Sequence, residues 1–526
     1  MRAVLIRLPW LLAGLLVLGC GWIYRDGASF GFVGLDDDYN ILFNPHLGPL
    51  SLHRVQWAFT DWEYARRYLP LGWLGFSAVF GFSGLAPVGY HLALLAWHCV
   101  NALLLFGVLR SFARRELGDD ASPWRTVVVF LGAAFWAWHP LRVESVAWAS
   151  GLLYAQTTAF MFAALWLQLA GRRIAAVVCH ALALLTYPAA LGLWPIFVLL
   201  DARREGWRRA FTLNVGHLIA AGALLVITML GRFQVGGVWP AVPTVAEFPL
   251  WQRGLQTLYV DAHYLWRPWW PVGLTPVDSV ALDLAHPSGR LIAGAIVTLL
   301  LAVSLAFSAW VRKRAGWFAL AHVAVLVPVL GVVEKPYFPA DRYALLPHLI
   351  LSAALVVVLA QLRARRTAVV AVGAVVLAAC AGLSRAQTEI WRDEAAMWRH
   401  ISTRITVDDL PVLACARPAL SLLRSGDRAA AFALIDAGRR RRPDDAMLRA
   451  TRDEMLRVDR DVSARAKARG LDAPPPPAAE LHHALGLELA RAGDIEAAAQ
   501  HFALLARIAP EYYARITRAA PPPPAR

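Results

Sequence analysis

The sequence predicts an all-α membrane protein of many spans that carries a smaller helical domain at its C-terminal end. Three observations lead there. First, 58% of the 526 residues are hydrophobic and only 17% are charged, and the apolar residues form runs long enough to cross a bilayer. Second, the formal charge of +15 is nearly all arginine and collects in short segments between those runs, where it reports topology and not nucleic-acid binding. Third, beyond residue 384 the chain turns polar and Ala/Arg-rich, with helical periodicity. The expected domains are therefore 1–384 and 385–526. The five cysteines show neither a pairing framework nor metal-ligand spacing.

Taken in order, Arg2 and Arg7 precede a first span from about Val4 to Tyr24, which puts the N-terminus inside. Residues 25–87 read as a long outer loop. Its His53, Arg54, Trp57, Trp62, Arg66, Arg67 and Tyr68 interleave charge with aromatic rings, as amphipathic interfacial helices do. The second span, Pro87 to Leu109, ends at Arg110, Arg114 and Arg115. The third, Val127 to Trp138, leaves at His139-Pro140-Leu141-Arg142-Val143-Glu144, and the fourth returns by Leu169 to Arg172 and Arg173. The apolar run 174–200 has arginines on both flanks, so it reads as a helical hairpin broken at Tyr187-Pro188 and Pro195. Further spans are expected at 213–230, 291–311, 317–333, 344–361 and 368–383. A second outer loop, 231–289, holds Trp266-Arg267-Pro268-Trp269-Trp270-Pro271. The count is about eleven spans, with the basic loops on one side and the C-terminal domain on the other.

In that domain, Leu485, Gly486, Leu489, Gly493, Ala498, Phe502 and Pro510 fit a helix-turn-helix repeat of about 34 residues. A weaker copy has Gly426, Asp427, Ala431, Ile435 and Pro443. Pro443 and Pro510 lie 67 residues apart, close to two repeat lengths, and the unit between them is degenerate. Pro474 to Pro477 reads as a stiff spacer and Pro521 to Pro524 as a disordered end.

Chemistry points to Asp36-Asp37-Asp38, about a dozen residues after the first span. Adjacent carboxylates repel, which raises at least one pKa, and a carboxyl so tuned suits a general base. An Asp-rich turn is the plainer reading. Glu144 reads as a substrate contact or as an ion-pair partner of Arg142 or Arg342. His91 and His98 lie two helical turns apart on one face, more often packing than metal ligation. The residues name no cofactor and leave a divalent metal open.

Several segments together resemble the transmembrane and tetratricopeptide-repeat-containing family of O-mannosyltransferases and its bacterial relatives, polytopic GT-C glycosyltransferases that use lipid-linked sugars. Asp36, Asp37 and Asn44 match an outer-loop motif of two acids with an Asn eight positions after the first. Tyr68-Leu69-Pro70-Leu71 resembles a Tyr-Arg-Pro-Leu segment. Gly84 to His91, with His98 and Asn101, resembles the entry to the second span. His139-Pro140 with Glu144-Ser145-Val146-Ala147-Trp148, and Asp341-Arg342-Tyr343 with Pro347, resemble two further segments.

The resemblance implies transfer of a sugar from a polyprenyl-phosphate donor to a hydroxyl of an acceptor protein or glycan outside a bacterial inner membrane. It implies Asp36 as base and Asp37 as a companion that orients the acceptor or holds a water. Arg342 and Arg142 would hold the donor phosphate, and Glu144, Tyr68 and His91 would contact substrate. Three positions depart from the family. Gly151-Leu152-Leu153-Tyr154 stands where a Gly-Arg-Lys-Asp-type run is usual, Tyr187 where a Lys precedes the proline, and Arg142 where His is frequent. A catalytically inactive scaffold that binds partners through its repeats is the rival class. A transporter would place charges mid-span and show an inverted repeat, and neither is visible.

Overall fold

The computed structural model describes residues 2–64, 67–119, 122–234, 244–246, 248–278, 287–332, 339–408 and 412–519. Arg66, the segment Glu334-Lys335-Pro336-Tyr337-Phe338, residues 235–243, 247 and 279–286 of the 231–289 loop, and Pro521 to Pro524 lie outside them. Every regular element among the described residues is helical, and no strand occurs among them.

Six helical segments are long and apolar enough to cross a membrane: Arg7–Ser29, Pro87–Leu117, Ala149–Leu169, Gly289–Phe307, Asp341–Gln361 and Arg363–Trp391. Two more result if each bent pair is one span. These pairs are Pro123–Ala137 with Pro140–Ala147, bent by 55°, and Trp207–Leu213 with Val215–Leu230, bent by 64°. Only 11% of the apolar window of Gly289–Phe307 is buried, and 17% of that of Arg363–Trp391. Apolar helices with such exposed faces are suited to hydrocarbon, not water.

The remaining apolar runs break up for local reasons. Within 174–200 the structure has a 14-residue helix, Arg173–Thr186, and a 12-residue helix, Trp194–Glu205. Tyr187 is extended (φ −159°, ψ 136°) because Pro188 follows it. At 1.5 Å per residue the two helices are about 21 and 18 Å long, each shorter than a hydrocarbon core of about 30 Å. The helix Ala309–Leu326 carries Arg312, Lys313 and Arg314 in its first turns. The supposed loop 25–87 holds two helices, Leu52–Thr60 and Pro70–Ser83. The second of these is apolar all round and buries Trp73, Phe76, Val79 and Phe80.

The chain divides into two compact units. The first comprises 1–30, 55–75 and 90–391; the second comprises 31–54, 76–89 and 392–526. In the first unit the helix Arg366–Thr388 continues past residue 385. Trp136 Nε1 donates to the Leu345 carbonyl (3.0 Å), Trp138 Nε1 to that of Leu16 (3.1 Å), and Ser384 Oγ to that of Trp138 (2.7 Å). Buried indole and hydroxyl groups thus find backbone partners across helices, as buried polar groups must.

In the second unit two helix pairs repeat one design. Arg417–Ser425 turns into Arg428–Arg441 through Gly426-Asp427, and Pro477–Arg491 turns into Ile495–Ile508 through Gly493-Asp494. Both glycines sit at positive φ, 99° and 83°, where an L side chain is strained. Both aspartates cap the following helix, Asp427 at Ala430 N and Asp494 at Ala497 N. Between the pairs, Ala446–Ala468 is one unbroken 23-residue helix.

Candidate functional site

In the first unit the site grows out of a helix end. Helix Pro123–Ala137 stops at Trp138, and His139 then caps a new turn, its Nδ1 accepting from Leu141 N (3.2 Å) with Pro140 at the first helical position. Proline fits there because its missing N–H is not needed. His139 Nε2 donates to the Pro268 carbonyl (2.9 Å), which fixes the tautomer. The turn carries Arg142 and Glu144 inward, at 0% and 2% exposure. Gly151 lets the chain close on itself, since a Cβ there would lie 2.8 Å from the Ser145 carbonyl oxygen.

Arg142 lies over the Trp136 ring, 4.8 Å from its centroid, an attraction strengthened when water is absent. His98 stacks on the same indole, with ring centroids 5.8 Å apart and nearly parallel, and its Nε2 donates to Ala137 O at 2.9 Å. Among the described residues the three guanidinium nitrogens of Arg142 make no hydrogen bond. Its electrostatic neighbours include Asp341 and Glu144.

Glu144 meets Arg342 twice. Oε2 accepts from Arg342 N at 2.9 Å, and Oε1 pairs with the guanidinium. Arg342 also lies 5.0 Å from the Tyr343 centroid and 5.5 Å from that of Trp148. Tyr264 holds the approach to this turn, donating to Ala340 O (2.9 Å) and accepting from Ala340 N (3.1 Å). Beside it, Tyr154 OH donates to Tyr187 OH at 2.9 Å, and Tyr154 meets Tyr343 edge-on at 6.0 Å. Tyr154 and Tyr187 are therefore in contact.

Tyr68 is partly buried and donates to Phe59 O at 3.3 Å. His91 is buried, edge-on to Phe30 at 6.0 Å. Trp269 and Trp270 are 58% and 64% exposed, the disposition of an interfacial belt. Among the described residues no group of three or more His, Cys, Asp or Glu side chains could hold a metal ion.

The second unit contains the acidic turn. Asp36 closes a turn with its carbonyl, accepting from Tyr39 N (3.1 Å) and Asn40 N (2.8 Å), and its side chain is half-buried. Asp37 is fully buried, and its Oδ2 accepts from Val33 N at 2.9 Å. Asp38 accepts from Tyr39 N (3.0 Å) and pairs with Arg424 at 2.6 Å. Asn44 Oδ1 accepts from His46 N (2.9 Å), while Nδ2 donates to Asn40 O (3.2 Å). A fourth carboxylate joins them: Glu394 abuts Gly34 and accepts from Trp398 Nε1 at 3.2 Å. Arg54, which the interleaved pattern assigned to an amphipathic surface, is buried. It donates to Pro49 O (3.1 Å) and His46 O (2.5 Å) and pairs with Asp494.

Trp136, Tyr264 and Glu394 carry no sequence signal that would single them out. The structure thus gathers Arg142, Glu144, Asp341 and Arg342 in the first unit, and Asp36, Asp37 and Asn44 in the second. Set against family models, curated proteins and solved structures, the chain matches none of them.

Proposed function

We propose that the protein is a membrane glycosyltransferase that moves a sugar from a polyprenyl-phosphate donor to a hydroxyl of an acceptor protein or glycan. In this reading it is a GT-C enzyme of about eleven spans with a C-terminal tetratricopeptide-like domain outside a bacterial inner membrane. The observation that carries the reading is Arg142: a fully buried guanidinium whose three nitrogens make no hydrogen bond among the described residues, with a second arginine, Arg342, sharing its carboxylate neighbour. A buried cation without hydrogen bonds is costly to the fold alone. A phosphate oxygen accepts what such a group donates. Asp36 takes the proton from the acceptor hydroxyl. The oxygen attacks the anomeric carbon, the bond from that carbon to the phosphate oxygen breaks, and polyprenyl phosphate leaves with both bonding electrons, stabilised by Arg342 and Arg142. Asp37 orients the acceptor or holds a water, and Glu144, Tyr68 and His91 are the residues assigned to substrate contact.

The test is transfer from a panel of polyprenyl-phosphate sugars by purified protein. Asp36→Asn keeps size and hydrogen bonding, so it should stay folded and lose about a hundred- to ten-thousand-fold in rate, while Asp38→Asn should lose little. Arg342→Lys should recover only part of what Arg342→Ala loses, because lysine lacks the bidentate fork. Equal rates for wild type and Asp36→Asn would remove Asp36 as the base.

One contact favours a second reading, an inactive scaffold. Tyr154 and Tyr187 bond to each other, and Leu152 and Leu153 are buried, where the resemblance calls for charged residues. Absence of transfer from every donor by wild-type protein would favour it.

A further inference from the structure

The first unit has an apolar groove lined by residues such as Phe112, Leu165, Leu199, Phe318 and Ala353. Among the described residues Arg203 is the only charged side chain lining it, and Trp317 stands beside it. Arg203 is 5.8 Å from the Trp317 ring centroid and pairs with Glu116 at 2.6 Å, yet its side chain stays 36% exposed. Trp207 stacks on Trp317, with centroids 5.8 Å apart.

Around this end the charges do not balance. Asp201 is taken by Arg115 (3.1 Å) and Arg173 (2.7 Å), and Glu205 by Arg209 (3.1 Å). Arg204, Arg208, Lys313 and Arg314 are exposed, and among the described residues none of them has a carboxylate partner. Arg314, on the helix that carries Trp317, lies over the Trp310 ring, 4.3 Å from its centroid. The result is an apolar slot with the partly exposed Arg203 and Trp317 in its lining, on helices that carry further exposed cationic side chains.

We infer that this groove holds one anionic phospholipid, an acyl chain between the helices and its phosphate at Arg203 and the neighbouring arginines. Any exposed apolar slot in a membrane protein meets lipid tails; the surplus of positive charge is what selects the headgroup. Basic residues at a membrane surface attract anionic lipid, and guanidinium binds phosphate with two parallel donors. This inference is independent of the reaction proposed above.

The test compares full-length protein in nanodiscs of phosphatidylglycerol with nanodiscs of phosphatidylcholine of the same acyl chains, followed by native mass spectrometry after mild delipidation. Wild-type protein should retain phosphatidylglycerol preferentially and unfold at higher temperature in it. Arg203→Gln and Arg208→Gln should each reduce that preference by about fivefold, and Arg203→Lys should keep most of it. Ala353→Phe, which fills the slot, should abolish retention with all charges present. If Ala353→Phe fails to fold, the wild-type comparison decides alone. Equal retention of the two lipids by wild type, or preference unchanged in the two glutamine variants, would overturn the inference.

Discussion

The charged cluster of the first unit and the acidic turn of the second solve the same problem in opposite ways. Both hold several ionisable groups out of water. Around Asp36 the carboxylates are satisfied locally: Asp37 takes the Val33 amide, Asp38 takes the Tyr39 amide and Arg424, and Asn44 closes its own turn. Most of these partners are a few residues away, so the turn would form for reasons of backbone geometry alone. Around Glu144 the partners come from far along the chain. Arg342 is 198 residues distant, and Arg142 rests on an indole with its donors unmet. The lesson is that carboxylate density marks the motif, whereas unmet hydrogen-bonding capacity marks where a ligand charge would be stabilising.

That contrast can be broken experimentally. Its largest consequence concerns Glu144. Removing one partner of a buried pair leaves an uncompensated charge and costs about 3–5 kcal/mol. Glu144→Ala should therefore lose most folded protein, seen as aggregation on size exclusion and a fall in the thermal midpoint. An unchanged midpoint would mean that Arg342 is solvated rather than paired.

Next is acid sensitivity of the second unit. His482 and His501 are buried with Nδ1 atoms 2.9 Å apart. Burial, and for His482 the second imidazole, depress their pKa values from 6.5 to about 3 and about 4. The unfolded chain takes up protons first, so stability is intact above pH 6.5 and falls as pH drops toward 4. Each imidazole contributes a slope of at most about 1.4 kcal/mol per pH unit. Hydrogen exchange of 477–508 in the full-length protein, corrected for intrinsic rates, should show protection lost over that window, and His482→Phe should flatten the dependence.

A smaller effect separates the two Gly-Asp turns. An N-cap is worth about 1 kcal/mol. Asp427→Ala should cost that much in local protection of 428–441. Asp494→Ala should cost more at 495–508, because it also strands the buried Arg54. Equal losses at the two caps would show that Arg54 finds another partner. The smallest effect belongs to Arg424→Ala. Its guanidinium is 43% exposed, and exposed pairs are worth about 0–1 kcal/mol, so the 31–54 segment should keep its exchange protection.

Local pattern determined a good deal of this protein without help. Apolar run length made it helical and membrane-suited, Pro188 broke the 174–200 run, His139-Pro140 started a new turn, and Gly-Asp marked two helix starts. These features depend on backbone sterics and on partners within four residues, which sequence spacing carries directly. Tertiary structure alone decided that Glu144 pairs with Arg342 while Arg142 lies on Trp136, that Tyr154 meets Tyr187, and that Arg54 is buried against Asp494, 440 residues away. It also joined the segments 31–54 and 76–89 to the C-terminal helices in one unit. Such pairings depend on which helix faces meet, and nothing in the spacing of residues along one helix names the side chain that will stand opposite.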